Sequence, residues 1–501
     1  MTYTLNAPSV RASFGFVGVA LFCLFFADIE VTTLDPWTEF ERMVIGFLTP
    51  DFFAIDQLGE AILQTIAFAV LGVAFGAGFG FVLAPFFQHF APLRWACAFI
   101  RAIHEIFWAL IFIQMFGPSP ITGILAIAIP YAGICAKVYS EILEEADLRA
   151  VRTLPVGTSR IAAFFYAKLP DVWAYMKSYT FYRLECGLRS SAVLGFVGLP
   201  TMGFYLESFF SEGYYSEASA LLILFFLIIA TIRFWMRPKI AWVYVVGAAI
   251  VVAFAETTSR FDWAHVARFF GEDIWPAPVR TAQEFGLAFW SSLGDWGWML
   301  FSTQALPGIV ATILLTQIAL IGTGFLTLLF YPIISERFFG RVGRTIGHGF
   351  LVVCRSTPEY ILAYIFLQLW GPSMLPAIVA LSLHNGAIIG HLIGRHSNEL
   401  ERRVDAPHGL NLYAFEVTPR IYGQFLAFLF YRWEVIMRET AILGVLGIHT
   451  LGFFIDSAIA DIRIDRAMVL ILMTALLNIF VDICSRRIRT RLRLRTSPEV
   501  V

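Results

Sequence analysis

The sequence predicts an all-α polytopic membrane protein of about twelve spans, arranged as two parallel repeats of six. Three observations carry that prediction. The chain of 501 residues is 58% hydrophobic and only 15% charged, with 50 phenylalanines, and its mean hydropathy is +0.73. A soluble domain cannot hide that much apolar surface, so the solvent is lipid. The apolar residues fall in runs of about 20, the length that crosses a bilayer as a helix. Finally, the stretch Phe181 to Gly203 returns as Phe430 to Gly452 without a gap.

The returning stretch reads FYRLECGLRSSAVLGFVGLPTMG, then FYRWEVIMRETAILGVLGIHTLG, at an offset of 249 (430 − 181). Tyr182, Arg183, Glu185 and Arg189 answer Tyr431, Arg432, Glu434 and Arg438. Gly195, Gly198 and Gly203 answer Gly444, Gly447 and Gly452. Chance does not reproduce charges and glycines together inside an apolar region, so the chain is duplicated.

Taken in order, spans are expected near residues 12–31, 59–84, 96–116, 120–140, 173–198 and 218–236, then 240–255, 305–331, 347–369, 375–395, 421–447 and 466–485. The first apolar run follows only Arg11 as a basic residue and has no small-residue cleavage site after it. It reads as a retained helix and not as a signal peptide. The polar stretches 32–58 and 256–304 read as corresponding outer loops. Their pieces PWTEFERMVIGFL and FDWAHVARFF suit interfacial helices.

The third spans also correspond. Arg101–Glu105 (RAIHE) answers Arg355–Glu359 (RSTPE), and the residues through Gly117-Pro118-Ser119 answer those through Gly371-Pro372-Ser373, at an offset of 254 (355 − 101). The offset falls to 249 after the next loop, so that loop is five residues shorter in the second copy (254 − 249). Six helices per copy is an even number, so the copies are expected to be parallel, about an axis along the membrane normal. The halves divide as 1–237 and 238–501.

Lys and Arg set the orientation. With the N-terminus inside, the inner segments hold Arg94; Arg149, Arg152, Arg160 and Lys168; Arg237 and Lys239; Arg337, Arg341 and Arg344; Arg402 and Arg403. The longer outer segments hold only Arg42, Arg260, Arg268 and Arg280. Both termini are therefore expected in the cytoplasm, with the basic tail Arg486–Arg495 at the anionic inner leaflet as an amphipathic or frayed helix end.

The net charge of −1 argues against nucleic acid as a partner. The six cysteines all lie in apolar stretches without metal spacing and read as small buried hydrophobes. No paired carboxylates, nucleophile elbow or metal cluster suggests an enzyme, and no nucleotide-binding G-x-x-x-x-G-K-S/T occurs.

Charges inside the spans are the candidate pathway residues: Arg183, Glu185 and Arg189, with Arg432, Glu434, Arg438 and Glu439. A charge in hydrocarbon costs about 2.5–3.5 kcal/mol or more, so these face protein or water. Glu185–Arg189 and Glu434–Arg438 have the favourable i,i+4 order for helix ion pairs. They read either as packing pairs or, at Arg189 and Arg438, as groups that attract an anion; one pair can do both. The glycines 195, 198, 203, 444, 447 and 452 read as sites of close packing between the two fifth helices or of bending at a gate. Arg101 with Glu105, and Arg355 with Glu359, read as ion pairs one turn apart. Lys137 and His391 occupy matching inner helix ends and read as snorkelling side chains. His384 and Asn385, which answer Pro130 and Tyr131, read as an internal hydrogen-bonding pair.

The stretch Glu141 to Pro170 is charge-rich, breaks at Pro155-Val156-Gly157 and restarts at the helix caps Thr158-Ser159. It reads as two short helices with a turn in the cytoplasm, either a connector or a docking surface. Its E-x-x-E-E-A-D, then Gly157, then Leu169-Pro170, resembles the coupling loop of binding-protein-dependent ABC importer permeases. RAIHE, AGICAKVYSEILEEAD and YRLECGLRSSAVLGFVG narrow the resemblance to the phosphonate-type permeases. It covers most of both halves.

The resemblance implies a type I ABC importer permease with two permease halves fused in one chain, in a bacterial inner membrane. The coupling residues would be Glu144, Glu145, Ala146, Gly157, Leu169 and Pro170 in loop 141–170, with Glu399, Gly409 and Pro419 in loop 396–419. The implied partners are two cytoplasmic ABC ATPase subunits, an outer solute-binding protein and a small anionic substrate such as a phosphonate. ATP and Mg belong to the ATPase, and this chain binds no cofactor. The second loop departs from the pattern, with the Glu-Glu-Ala core eroded to Glu399-Leu-Glu401-Arg-Arg, so unequal docking is expected. His104 stands where the family has proline, and Pro358 keeps it. The middle glycines of the family's Gly-Ala-Gly-Gly-Ile-Gly are replaced in both copies, which leaves the substrate open. Competing readings are an ion-gradient-driven secondary transporter and an ABC permease for an amino acid or quaternary amine.

Overall fold

The computed structural model describes residues 8–55, 57–146, 149–155, 157–255, 262–401, 403 and 405–494. Among these residues the chain is helical, with no strand. The helices are α1 (Pro8–Leu24), α2 (Pro36–Leu48), α3 (Leu58–Phe87), α4 (Ala91–Ala102), α5 (Glu105–Phe116), α6 (Pro120–Glu144), α7 (Leu169–Val193), α8 (Met202–Glu212), α9 (Tyr215–Trp235) and α10 (Ala241–Phe254). They continue as α11 (Leu287–Ile334), α12 (Arg341–Ser356), α13 (Glu359–Trp370), α14 (Met374–Glu399), α15 (Thr418–Ile442), α16 (Leu451–Ala460) and α17 (Ile464–Arg491).

Among the described residues six helices are long and apolar enough to cross a membrane, and up to nine if each sharply bent pair counts as one span. The expected twelve are not reached on that measure, for local reasons. Three apolar helices, residues 8–24, 238–254 and 451–460, are short. The stretch predicted at 421–447 is α15, which carries Arg420, Arg432, Glu434, Arg438 and Glu439. The last helix runs on to Arg491, so the described part of the basic tail extends a span.

The third expected span of each copy is broken. α4 meets α5, and α12 meets α13, at a bend of 93° in each case. Arg101 and Glu105 therefore sit on different helices across a break, as do Arg355 and Glu359, and neither pair shares one helix face as the spacing suggested. The stretch 287–304, expected in an outer loop, is helical and continuous with the span that follows. α2 forms as the amphipathic pattern predicts. Asp35 stands just before it, accepting hydrogen bonds from the Thr38 hydroxyl at 2.6 Å and the Thr38 N–H at 3.2 Å. Those bonds hold the Asp35 carboxyl below the usual carboxylate range.

Proline shapes the long helices in a repeated way. The π-turns Phe164–Lys168, Phe301–Ala305 and Leu412–Val417 each lead directly into Leu169-Pro170, Leu306-Pro307 or Thr418-Pro419. Proline brings no N–H, and its ring collides with the carbonyl one turn back. A widened turn relieves the collision without breaking the helix. The segment after the 141–170 turn therefore does not end at Pro170. It starts at Ser159, whose hydroxyl accepts from the Ala162 N–H at 3.1 Å, and runs into α7.

The chain forms two compact units that do not follow its linear order. The first unit comprises Arg42–Trp275; the second comprises Met1–Glu41 with Pro276–Val501. In the first unit α3 packs along α6, with α7 and α10 also against α3. In the second, the Leu306–Phe330 part of α11 packs along α14, with α15 and α1 against it. After α1 the backbone runs to α13 and α14, donating from the Thr32 N–H to Trp370 O and accepting at Asp28 O from the Met374 N–H, both at 2.8 Å.

The two central helix pairs reach close contact by opposite means. In the first unit Gly72, Gly76 and Gly80 lie on α3, where an added Cβ would come within 2.7, 2.7 and 2.4 Å of Ile127, Tyr131 and Cys135 on α6. In the second unit the glycines lie on the partner helix. Gly386, Gly390 and Gly394 of α14 approach Leu326, Phe330 and Ile334 within 2.9, 3.0 and 2.4 Å on the same construction.

Candidate functional site

Each unit carries a polar cluster where the start of α5 or α13 meets the middle of α6 or α14 and the second half of α7 or α15. The repeat offsets place equivalent positions together, and the side chains at those positions differ.

In the first unit the bend before α5 is capped by His104, whose Nδ1 accepts from the Ile106 N–H at 3.2 Å. His104 Nε2 lies 3.0 Å from Glu105 Oε2. Tyr131 Oη lies 3.3 Å from Ser190 Oγ on α7. Arg183 donates from Nε to Tyr179 Oη at 2.7 Å, and its guanidinium lies 5.1 Å from the Tyr179 ring centre, 5.6 Å from that of Tyr182 and 5.8 Å from that of Tyr131. These are cation–π distances.

In the second unit Pro358 stands at the position of His104 and His384 at the position of Pro130. His384 Nδ1 lies 2.8 Å from Thr357 O, and its Nε2 lies 3.8 Å from Glu359 Oε2. Histidine and proline have thus exchanged helices between the copies, yet an imidazole reaches the same glutamate in both. Asn385, at the position of Tyr131, donates at 2.9 Å to Glu439 Oε2; Glu439 stands where the first copy has Ser190. Arg432 Nη1 lies 3.8 Å from the other Glu439 oxygen. Glu359, His384 and Glu439 bring one possible metal-ligand atom each within 4.8 Å of one another. Both Glu439 oxygens already face protein partners.

The predicted Glu185–Arg189 pair forms, with Oε1 to Nη2 at 3.1 Å, and both side chains are half-buried. Glu434 and Arg438 are half-buried on α15. His391 does not snorkel: it is buried and sits 3.2 Å from Arg355 Nη1, whereas Lys137 reaches Glu141 at 3.7 Å.

The glycines act within each unit and make a bend at equivalent positions of the two copies. α7 tightens into a turn at 194–197 and stops at Gly198, with φ +83°; the second copy stops at Gly447, with φ +87°. The Leu199 N–H then donates to Leu194 O, and the Ile448 N–H to Leu443 O, each at 3.4 Å. α8 departs at 53° to the preceding helix. A Cβ on Gly195 would stand 2.1 Å from Phe204 N, and one on Gly203 1.8 Å from Ala192 O. Gly444 and Gly452 give the same distances to Phe453 N and Ala441 O. A buried threonine locks each bend. Thr65 accepts from the Met202 N–H at 2.9 Å, and Thr312 from the Leu451 N–H at 3.1 Å.

Of the predicted coupling residues, Glu144, Glu145 and Ala146 lie at the end of α6 and Glu399 at the end of α14, while Leu169-Pro170 open α7 and Pro419 is the second residue of α15. Glu144, Glu145 and Glu399 are exposed, whereas Ala146 is buried among Leu143, Val172 and Met176, with Leu169 beside them. Asp147, Val156 and Arg402 fall outside the described residues. Gly157 and Gly409 both have positive φ, +99° and +63°, with open space around each. They are not equivalent. The helix caps Ser159 and His408 both stand eleven residues before the proline (170 − 159; 419 − 408), so Gly157 precedes its cap and Gly409 follows it. Ala406 occupies the position of Gly157.

The sequence reading missed Tyr131, Tyr179 and Ser190, and it weighed Glu439 only as a span charge. Two of these follow from the repeat: the offset of 254 sets Tyr131 against Asn385, and the offset of 249 that pairs Arg183 with Arg432 sets Ser190 against Glu439.

No family model and no solved structure matches the chain. The phosphate-import permease protein PhnE of Mycolicibacterium smegmatis is 23% identical over 487 residues, covering 87% of this chain and 86% of that protein. The phosphite transport system permease protein PtxC of Stutzerimonas stutzeri is 26% identical over 217 residues, 41% of this chain but 78% of its own length. A relative that matches less than half of the chain over most of itself, beside one that matches nearly all of it, fits a duplicated permease. The chain is a homologue of the phosphonate- and phosphite-type transport permeases.

Proposed function

We propose that the chain is the membrane permease of an ATP-driven importer for a phosphorus oxyanion such as phosphite or a phosphonate. One observation carries this reading: the similarity to PhnE covers 87% of the chain, more than either copy alone can supply. Cationic groups inside an apolar protein suit an anionic cargo. ATP would be hydrolysed by separate ABC subunits docked on loops 141–170 and 396–419, where Glu144, Glu145 and Glu399 are exposed. A binding protein would deliver substrate on the outer side, with both termini of this chain in the cytoplasm of a bacterial cell. Arg189, Arg438 and the glycine bends would belong to the path that opens and closes.

The test is reconstitution. The purified chain should capture a soluble ABC ATPase, and vesicles carrying the pair with a binding protein should accumulate phosphite only when ATP is present on the ATPase side. Accumulation that follows an imposed ion gradient without ATP would overturn the reading in favour of a secondary transporter.

A further inference from the structure

Duplication supplied the protein with two equivalent half-buried arginines, Arg183 and Arg432, but their surroundings have diverged. Arg432 lies beside a carboxylate, Glu439. Arg189 is likewise paired, with Glu185. Arg183 is half-buried, and among the described residues it has no carboxylate within ion-pairing distance. Its contacts are the hydroxyl of Tyr179 and the faces of three tyrosine rings.

A guanidinium has five donors in a planar fork that suits the oxygens of a tetrahedral oxyanion. Tyr179 uses one of them, at Nε, and fixes the plane of the group. The rings offset part of the cost of removing the cation from water but supply no countercharge. The helix positions that carry Asn385 and Glu439 in the second copy carry hydroxyls in the first, Tyr131 and Ser190, with their oxygens 3.3 Å apart. Hydroxyls can donate to an incoming anion, whereas a carboxylate would repel it and already accepts from Asn385.

We propose that Arg183, boxed by Tyr131, Tyr179 and Tyr182, is the protein's contact for a tetrahedral phosphorus oxyanion, and that Glu439 has closed the equivalent site at Arg432. The cargo is then held by one copy of the duplicated cluster. The inference rests on the oxyanion-permease reading and specifies which residue meets the cargo.

The experiment is phosphorus NMR line broadening with phosphite and methylphosphonate as probes, on the full chain in lipid nanodiscs. The wild type and Arg432→Gln should broaden the probe signals alike. Arg183→Gln should weaken the apparent affinity by about tenfold to a hundredfold, the range for losing a hydrogen bond to a charged group. Arg183→Lys, which keeps the charge and loses the fork, should fall between. Glu439→Gln should add a second binding event by releasing Arg432, a readout that does not depend on Arg183 variants folding. Unchanged binding in a well-folded Arg183→Gln, or loss in Arg432→Gln instead, overturns the assignment and leaves the permease reading standing. A wild type that broadens neither probe overturns both.

Discussion

The bend after α7 permits a sharp test because its limiting distances are backbone distances. A methyl group added at Gly203 would lie 1.8 Å from Ala192 O, and one at Gly195 would lie 2.1 Å from Phe204 N. Carbon contacts are optimal at roughly 3.5 Å or more, so the two sides of the bend would have to part by well over an ångström. Overpacking costs about 1–3 kcal/mol where side chains can yield. Here the obstacle is main chain on both sides, and a loss of about 4 kcal/mol or more is expected for Gly203→Ala, the range reserved for outright structural conflict. Gly198→Ala is the internal control. Its φ of +83° disfavours any side chain, but nothing lies within 4 Å of the added methyl, so its cost should stop near 1–2 kcal/mol.

The assay is the monodisperse fraction and thermal midpoint of the purified chain in mild detergent. Gly203→Ala should collapse and Gly198→Ala should persist with a lowered midpoint. The second copy should repeat the ranking, with Gly452→Ala failing and Gly447→Ala surviving. If Gly203→Ala matched Gly198→Ala in both measures, close backbone approach would not be the role of these glycines.

Two further outcomes follow from the same geometry. Gly157→Val and Gly409→Val place a β-branched residue at positive φ in open surroundings, so both should fold; if the first loop is the stronger coupler, Gly157→Val should lower transport-linked ATPase activity more, and the reverse ranking would refute it. Thr65→Val and Thr312→Val should each cost about 1–3 kcal/mol by leaving the N–H of Met202 or Leu451 buried without its acceptor, while the serine variants should recover most of the loss; faster amide exchange confined to α8 or α16 is the measurement.

Much of this was legible because lipid makes the helical periods and the duplication stand out. The repeat offsets, the cap at Ser159, the amphipathic helix α2 and the Glu185–Arg189 pair follow from spacing alone. The breaks at 103–104 and 357–358 did not, because apolar residues on both sides read as one continuous span when only hydropathy is counted. The fate of Pro170 and Pro419 was misread for a different reason. Proline rules describe an α-helix, and a π-turn just before the proline lets the helix continue. The division into units was hidden as well, since α1 packs on α11 and α10 on α3, far along the chain in each case.

The two copies show which constraints duplicated sequence can escape. Nothing but glycine resolves a 1.8 Å contact with a carbonyl oxygen, and that position is glycine in both copies. The contact between α3 and α6 needs a small surface that either partner can supply, so the run of three glycines sits on α3 in one copy and on α14, the counterpart of α6, in the other, with Gly123 of α6 and Gly322 of α11 adding one close approach each from the opposite partner. The imidazole that meets Glu105 or Glu359 can come from either side of the junction, and it does. At the arginine the substitution is not equivalent: Ser190 puts no carboxylate at the position from which Glu439 lies 3.8 Å from Arg432. Packing and capping have been exchanged between the helices with the geometry kept, while at this one buried position the balance of charge has been altered. On the inference drawn above, that difference would give the two copies separate roles toward an anion.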